Sequence, residues 1–229
     1  VKAVLFDLDD TLYDRYPAIR TYAQHYFYKD FGPQLSTIDQ EWLAQALITA
    51  DGGPLRGGRE AMQALQRALP WLPGKMPSWQ ELLAHWQAYF PYCSHWTPEL
   101  DQLLRSLSQL GWKIGIVTNG PGPGQRQKID TLGIGNYLDA VVISGEYGVK
   151  KPDPAIFMEA LRQLGVVAHQ SWFVGDNPAT DIAGAVSAGL KAIWLRRYHR
   201  PWYGPLSKPP VCKDSMVAVG EFLVGCNKD

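Results

Sequence analysis

The stretch Val1-Lys2-Ala3-Val4-Leu5-Phe6-Asp7-Leu8-Asp9-Asp10-Thr11 decides how the rest of the chain is read. An apolar run that stops abruptly at acidic residues has the pattern of a strand buried on both faces of a parallel sheet. In such a sheet ligands sit beyond the carboxyl ends of the strands. Side chains two apart on an extended chain point the same way, so Asp7 and Asp9 face one site while Leu8 faces away. Two carboxylates at the open end of a sheet suit a hard divalent cation such as Mg²⁺. For Asp10, a turn or local backbone cap is the better reading.

Four more apolar runs, at 114–117, 140–143, 172–174 and 192–195, repeat the strand pattern further along. Helices alternate with them. Thr97-Pro98-Glu99 reads as an N-cap, a first-turn proline and an early acid, and Gly111 stops that helix. Asp153-Pro154 opens another that Gly165 ends, and a third spans about 180–189. This alternation predicts an α/β protein with a Rossmann-like open parallel sheet and helices on both faces.

Residues 15–93 break the alternation and read as about four helices without a strand. Thr37-x-x-Gln40 and Ser78-x-x-Glu81 have capping-box spacing, and turn-rich joints lie at Asp51-Gly52-Gly53-Pro54 and 70–77. The expected organisation is a core domain of 1–14 and 94–229, with a helical cap domain of 15–93 inserted after the first strand and acting as a lid. Residues 199–210 are proline-rich and read as a loop, after which Asp214-Ser215 caps a last short helix.

Composition narrows the function classes. Twenty-two Lys+Arg balance twenty-two Asp+Glu, which leaves no net basic field for nucleic acid or an anionic membrane surface. No apolar stretch approaches the ~18 residues of a membrane span, and the first residues read as a strand and not as a signal peptide. The three cysteines, Cys93, Cys212 and Cys226, form neither a disulfide framework nor a zinc motif, so a soluble protein of the reducing cytoplasm is expected. The five histidines are scattered, which speaks against zinc. The nine tryptophans are read chiefly as core packing.

Chemistry-bearing residues recur where the later strands end. Thr118-Asn119-Gly120 offers a hydroxyl and a flexible backbone to phosphate oxygens. The following Pro121-Gly122-Pro123-Gly124 does not have the spacing of a dinucleotide fingerprint. Lys150-Lys151-Pro152-Asp153-Pro154 brings cations to another strand-end loop. The proline holds Lys151 extended, so Lys150 points to the opposite side. Gly175-Asp176-Asn177-Pro178-Ala179-Thr180-Asp181 adds two acids that suit metal binding.

The order and spacing of these four segments (D-x-D-x-T, the strand-end Thr, K-P-D-P and G-D-x-x-x-x-D) resemble the haloacid dehalogenase-like hydrolase superfamily. The likeness spans essentially the whole chain, helical cap included. Gly145-Glu146-Tyr147-Gly148-Val149, leading into the lysines, looks like the branch of small-metabolite phosphatases. The resemblance implies a Mg²⁺-dependent phosphatase of small phosphate monoesters, such as a sugar phosphate, a nucleoside monophosphate or a phosphoglycolate-like acid. Asp7 would be the nucleophile that forms an aspartyl-phosphate, and Asp9 the acid and then the base. Mg²⁺ would be held by the Asp7 carboxylate, the Asp9 main-chain carbonyl and Asp176. Thr118, the Asn119 amide and Lys151 would hold the transferring oxygens, with Asp181 orienting Lys151 or a metal-bound water. A phosphomutase shares all four motifs and stays open as an alternative. A metal-independent haloacid dehalogenase is disfavoured by the acid at Asp9. The expected partner is a small phosphorylated metabolite, and the expected assembly a monomer or homodimer.

Overall fold

The computed structural model describes residues 2–33, 36–52, 58–69, 76–199, 201–207 and 210–226. The chain divides into two units, one of Val1–Tyr13 with Trp96–Asp229 and the other of Asp14–His95.

The first unit carries a six-stranded parallel sheet with helices on both faces. In chain order its strands are β1 (Ala3–Phe6), β2 (Lys113–Thr118), β3 (Ala140–Ile143), β4 (Ser171–Gly175), β5 (Lys191–Leu195) and β6 (Cys212–Lys213). Their spatial order is β3-β2-β1-β4-β5-β6. The chain leaves β1 toward β2 on one side and returns to β4 on the other. The strand order therefore reverses between β1 and β4, and a crevice at such a point is where open α/β sheets bind ligands. Register fixes which residues meet there: Phe6 pairs with Ile116 of β2 and with Val174 of β4. Asp7 continues the ladder by donating its N–H to the Val174 carbonyl at 2.9 Å.

The five apolar runs form strands, each within a residue or two of the stretch that announced it. The two-residue β6 was not foreseen, because a strand that short carries no periodicity. Neighbouring residues of β4 show the two faces. Phe173 packs edge-on against Phe157, with ring centroids 5.0 Å apart, and Trp172 packs against Phe222 at 5.2 Å.

The helices of the two units, in chain order, are α1 (Arg15–Tyr22), α2 (Tyr28–Phe31), α3 (Thr37–Asp51), α4 (Gly58–Ala68), α5 (Trp79–Tyr89), α6 (Pro98–Gln109), α7 (Gly122–Leu132), α8 (Ser144–Tyr147), α9 (Pro154–Leu164), α10 (Ala183–Ser187) and α11 (Met216–Gly225). Thr97 caps α6, Asp153 caps α9 and Ser215 caps α11, each side chain accepting a backbone N–H of the first turn. The helix expected at about 180 begins earlier, as a π-helical turn Pro178–Ile182 capped by Asn177. Proline at a first turn loses no hydrogen bond, which moves the start forward.

The second unit carries helices and no strand among its described residues, with a π-helical turn Ala23–Phe27 joining α1 to α2. The capping box at Ser78 and Glu81 forms as its spacing predicts. The one expected at Thr37 and Gln40 is corrected by one residue. Ser36 takes the extended cap conformation and its hydroxyl accepts from the Asp39 N–H. Gly52 ends α3 in the left-handed conformation, while the rest of the joint at 53–57 and most of 70–77 lie outside the described residues. Of the tryptophans, Trp112 and Trp194 are buried, but Trp42 is 66% exposed, so core packing does not account for all of them.

Candidate active site

The acids, the lysine and the strand-end Thr118 and Asn119 lie in the first unit, at the carboxyl ends of β1, β2 and β4 and in the loop after β3. Asp7, Thr118, Lys151, Asp176 and Asp181 are all buried there, and Asp9 and Asn119 are partly exposed. Leu8 is fully buried, as expected of a side chain that turns away from the site. Asp10 is buried in the left-handed conformation at φ 56°. Its main-chain carbonyl and that of Thr11 both accept from Arg197, each at 2.9 Å. Asp10 lies in the turn read for it, but its side chain accepts from the distant Tyr198 hydroxyl at 3.4 Å. Neither that contact nor the arginine clamp on the loop is legible in the sequence.

Lys151 is the hub. Its Nζ lies 2.6 Å from Asp7 Oδ1 and 2.8 Å from Asp181 Oδ1, with the side chain 2% exposed. Lys150 beside it is exposed. The Lys151–Pro152 peptide bond is cis, which extended-chain reasoning did not foresee. The side chain of Asn119 clasps the Lys151 main chain, Nδ2 donating to its carbonyl at 3.1 Å and Oδ1 accepting from its N–H at 2.9 Å. That side-chain amide is therefore committed to aligning the lysine.

Asp181 is held in turn by the Asn177 N–H, which donates to Oδ2 at 3.0 Å. A Cβ at position 175 would collide with the Asp181 carboxylate, so the glycine before Asp176 is a matter of space. Asp176 is fixed through its main chain, where its carbonyl accepts from Trp194 Nε1 at 2.9 Å.

One carboxylate oxygen each from Asp7, Asp176 and Asp181 lies within 4.8 Å of the others. Three buried acids against the single ammonium of Lys151 leave an excess of negative charge away from water, which is costly unless a cation or a proton joins them. Burial raises Asp7 to about 7; Lys151 opposes that rise, and Asp181 and Asp9 add to it. Burial works against a charged Lys151, yet Asp181 and Asp7 hold its pKa above the ordinary lysine value. Hard oxygen donors at this spacing fit Mg²⁺ by charge and by ligand type.

Asp9 belongs to a different network, and its carboxylate is not part of the acid cluster. Its Oδ1 accepts from Tyr13 Oη at 2.5 Å and from Lys128 Nζ at 2.7 Å, and its Oδ2 accepts from Gln125 Nε2 at 2.8 Å. Gln125 also donates to Thr118 Oγ1 at 2.7 Å. Gln125 and Lys128 carry no site signal of their own in the sequence, because Pro121-Gly122-Pro123-Gly124 before them has the look of a loop without a fingerprint. Proline in a first turn could have marked the start of α7. Residues 125 and 128, three apart, then fall on one face of it.

Residues 1–189 match the model of the family described as haloacid dehalogenase-like hydrolase. The chain is 33% identical over 198 residues to a glyceraldehyde 3-phosphate phosphatase of Methanopyrus kandleri, covering 86% of this chain and 84% of that one. Among solved structures it resembles a HAD phosphatase from Thermococcus onnurineus, with a TM-score of 0.64 and 26% identity over 97% of this chain and 98% of the other. It also resembles a 2-haloacid dehalogenase from Pseudomonas syringae, with a TM-score of 0.63 and 28% identity over 99% of each chain.

Proposed function

This chain belongs to the haloacid dehalogenase-like hydrolase family and is a phosphatase, and from that premise we propose that it hydrolyses small phosphate monoesters with Mg²⁺ through an aspartyl-phosphate on Asp7. The observation that carries the reading is the convergence of Asp7, Lys151, Asp176 and Asp181 at the reversal of strand order.

In the first step a carboxylate oxygen of Asp7 bonds to phosphorus while the ester P–O bond breaks. The departing alkoxide takes a proton from Asp9. In the second step Asp9 takes a proton from water, which attacks the phosphorus and releases Asp7. Lys151, Thr118 and the main-chain amide of Asn119 are the donors to the transferring oxygens, whose charge needs partners fixed in advance. Asp181 holds Lys151 to its direction. The Asp7 and Asp176 carboxylates and the Asp9 main-chain carbonyl would hold Mg²⁺, whose charge would offset the repulsion between carboxylate and phosphate.

The dehalogenase reading is less well supported. A halide departs without a proton, whereas an alkoxide needs one, and Asp9 supplies it. The phosphomutase alternative differs in whether the phosphoryl group ends on water or on the product. The residues 15–93 act, in this reading, as a cap domain that favours small substrates over macromolecular ones.

The test is turnover of a panel of phosphorylated metabolites with Mg²⁺, with chelator, and with the metal restored. Acid quench during turnover should find the mass of one phosphoryl group on the peptide that carries Asp7. A label on another residue would end the proposal. A phosphopeptide hydrolysed as fast as the best metabolite would end the substrate-size part of it.

A further inference from the structure

We propose that Lys128 and Gln125 are positioning residues for Asp9, and that Gln125 ties the aim of Asp9 to Thr118. The inference rests on the reading of Asp9 as proton donor given above and deepens it.

Both oxygens of the Asp9 carboxylate are held, Oδ1 by Tyr13 and Lys128 and Oδ2 by Gln125. The two residues of α7 also hold each other, Lys128 Nζ donating to Gln125 Oε1 at 2.7 Å. Lys128 is 7% and Gln125 2% exposed. An ammonium and an amide are left so far from water only where partners take up their hydrogen bonds. Here the partners are the Asp9 carboxyl group and each other. The amide has its nitrogen toward the Asp9 and Thr118 oxygens and its oxygen toward the ammonium, so each of these three contacts pairs a donor with an acceptor.

A carboxylate gripped at both oxygens cannot swing about its last torsion. Proton transfer depends steeply on such placement, since a small misalignment of reacting groups removes much of the rate. Gln125 Nε2 reaches the Asp9 carboxylate and the Thr118 hydroxyl together, 2.8 and 2.7 Å away. One side chain thereby sets the proton donor of the β1 loop against a phosphate-facing hydroxyl at the end of β2. The competing view is that the pair only fills space under α7, in which case its loss would impair every substrate alike.

The leaving group separates the two. The p-nitrophenolate of p-nitrophenyl phosphate departs without a proton, and the alkoxide of glycerol 1-phosphate needs one. The ratio kcat/KM reports only steps through the first phosphoryl transfer, so later use of Asp9 as base does not intrude. Lys128→Met should lower kcat/KM on glycerol 1-phosphate by roughly 10²-fold and on p-nitrophenyl phosphate by no more than about threefold. Gln125→Met, which also frees Thr118, should show the same split on top of a loss common to both substrates. Lys128→Arg should restore part of the loss. Asp9→Asn, measured alongside, should show the same split in stronger form. Equal losses on both substrates in the Met variants, with Asp9→Asn still split, overturn the inference and leave Asp9 as the acid. Equal losses in Asp9→Asn itself overturn the acid assignment, and the inference falls with it. Should circular dichroism show Lys128→Met unfolded, Gln125→Met decides alone.

Discussion

Asp181 and Lys151 form a buried ion pair at 2.8 Å on the same ammonium that meets Asp7 at 2.6 Å. The lysine is thus held by two acids, and its main chain is clasped by Asn119 as well. Removing a donor fixed in this way toward a developing anion typically costs about 10²–10³ in turnover. Lys151→Ala should show that loss. Lys150→Ala, which removes an exposed side chain, should keep near-normal kcat and stability within about 0.5 kcal/mol. Equal kcat losses in the two variants would mean that the lysine next to the proline has no special task.

Asp7→Asn should abolish turnover and leave the fold intact. The amide is close in shape to the carboxylate but cannot attack phosphorus. The check is single-turnover phosphate release together with a circular dichroism spectrum. A variant that retained a tenth of wild-type activity would rule out the covalent route.

The acid cluster predicts a pH-dependent response to Mg²⁺. Burial lifts Asp7 from 3.8 in the free residue to about 7. Between these values the native protein binds more protons than the unfolded chain, so this residue's contribution to stability falls as pH rises, and the loss is complete above about 7. A cation held by ionised Asp7 displaces that proton, so Mg²⁺ should stabilise more at high pH than at low. Thermal melts near pH 5.5 and pH 8, with and without Mg²⁺, should show the larger Tm shift at the higher pH. In Asp7→Asn the difference between the two pH values should shrink. Identical shifts in the wild type would remove Asp7 from the metal site.

Arg197 grips the β1 loop by two carbonyls, those of Asp10 and Thr11. Arg197→Ala should cost roughly 1.5–3 kcal/mol in urea-unfolding stability, the usual range for hydrogen bonds to a charged group. It should also lower kcat/KM, because the loop it holds carries Asp9. Unchanged stability would show that the loop keeps its shape unaided.

The strands and the acids that follow them were legible because burial writes itself locally. A strand covered on both faces must be apolar, and the first residue beyond it is free to carry charge, so Phe6-Asp7 and Val174-Gly175-Asp176 mark both a strand end and a candidate site residue. The helix caps at Thr97, Asp153 and Ser215 were readable for the same reason, since a cap satisfies its own next turn. The pairing of Asp9 with Lys128, across 119 positions, and the clamp of Arg197 on Asp10, across 187, were not. Neither contact leaves a local trace in sequence, because a buried lysine and a solvated one look the same until the chain is folded around them. The sequence by itself determined which strand-end residues reach the open end of the sheet. Tertiary structure alone decided which lysine meets which acid, since that follows from strand order and register, where β2 and β4 flank β1 and bring their loops to it.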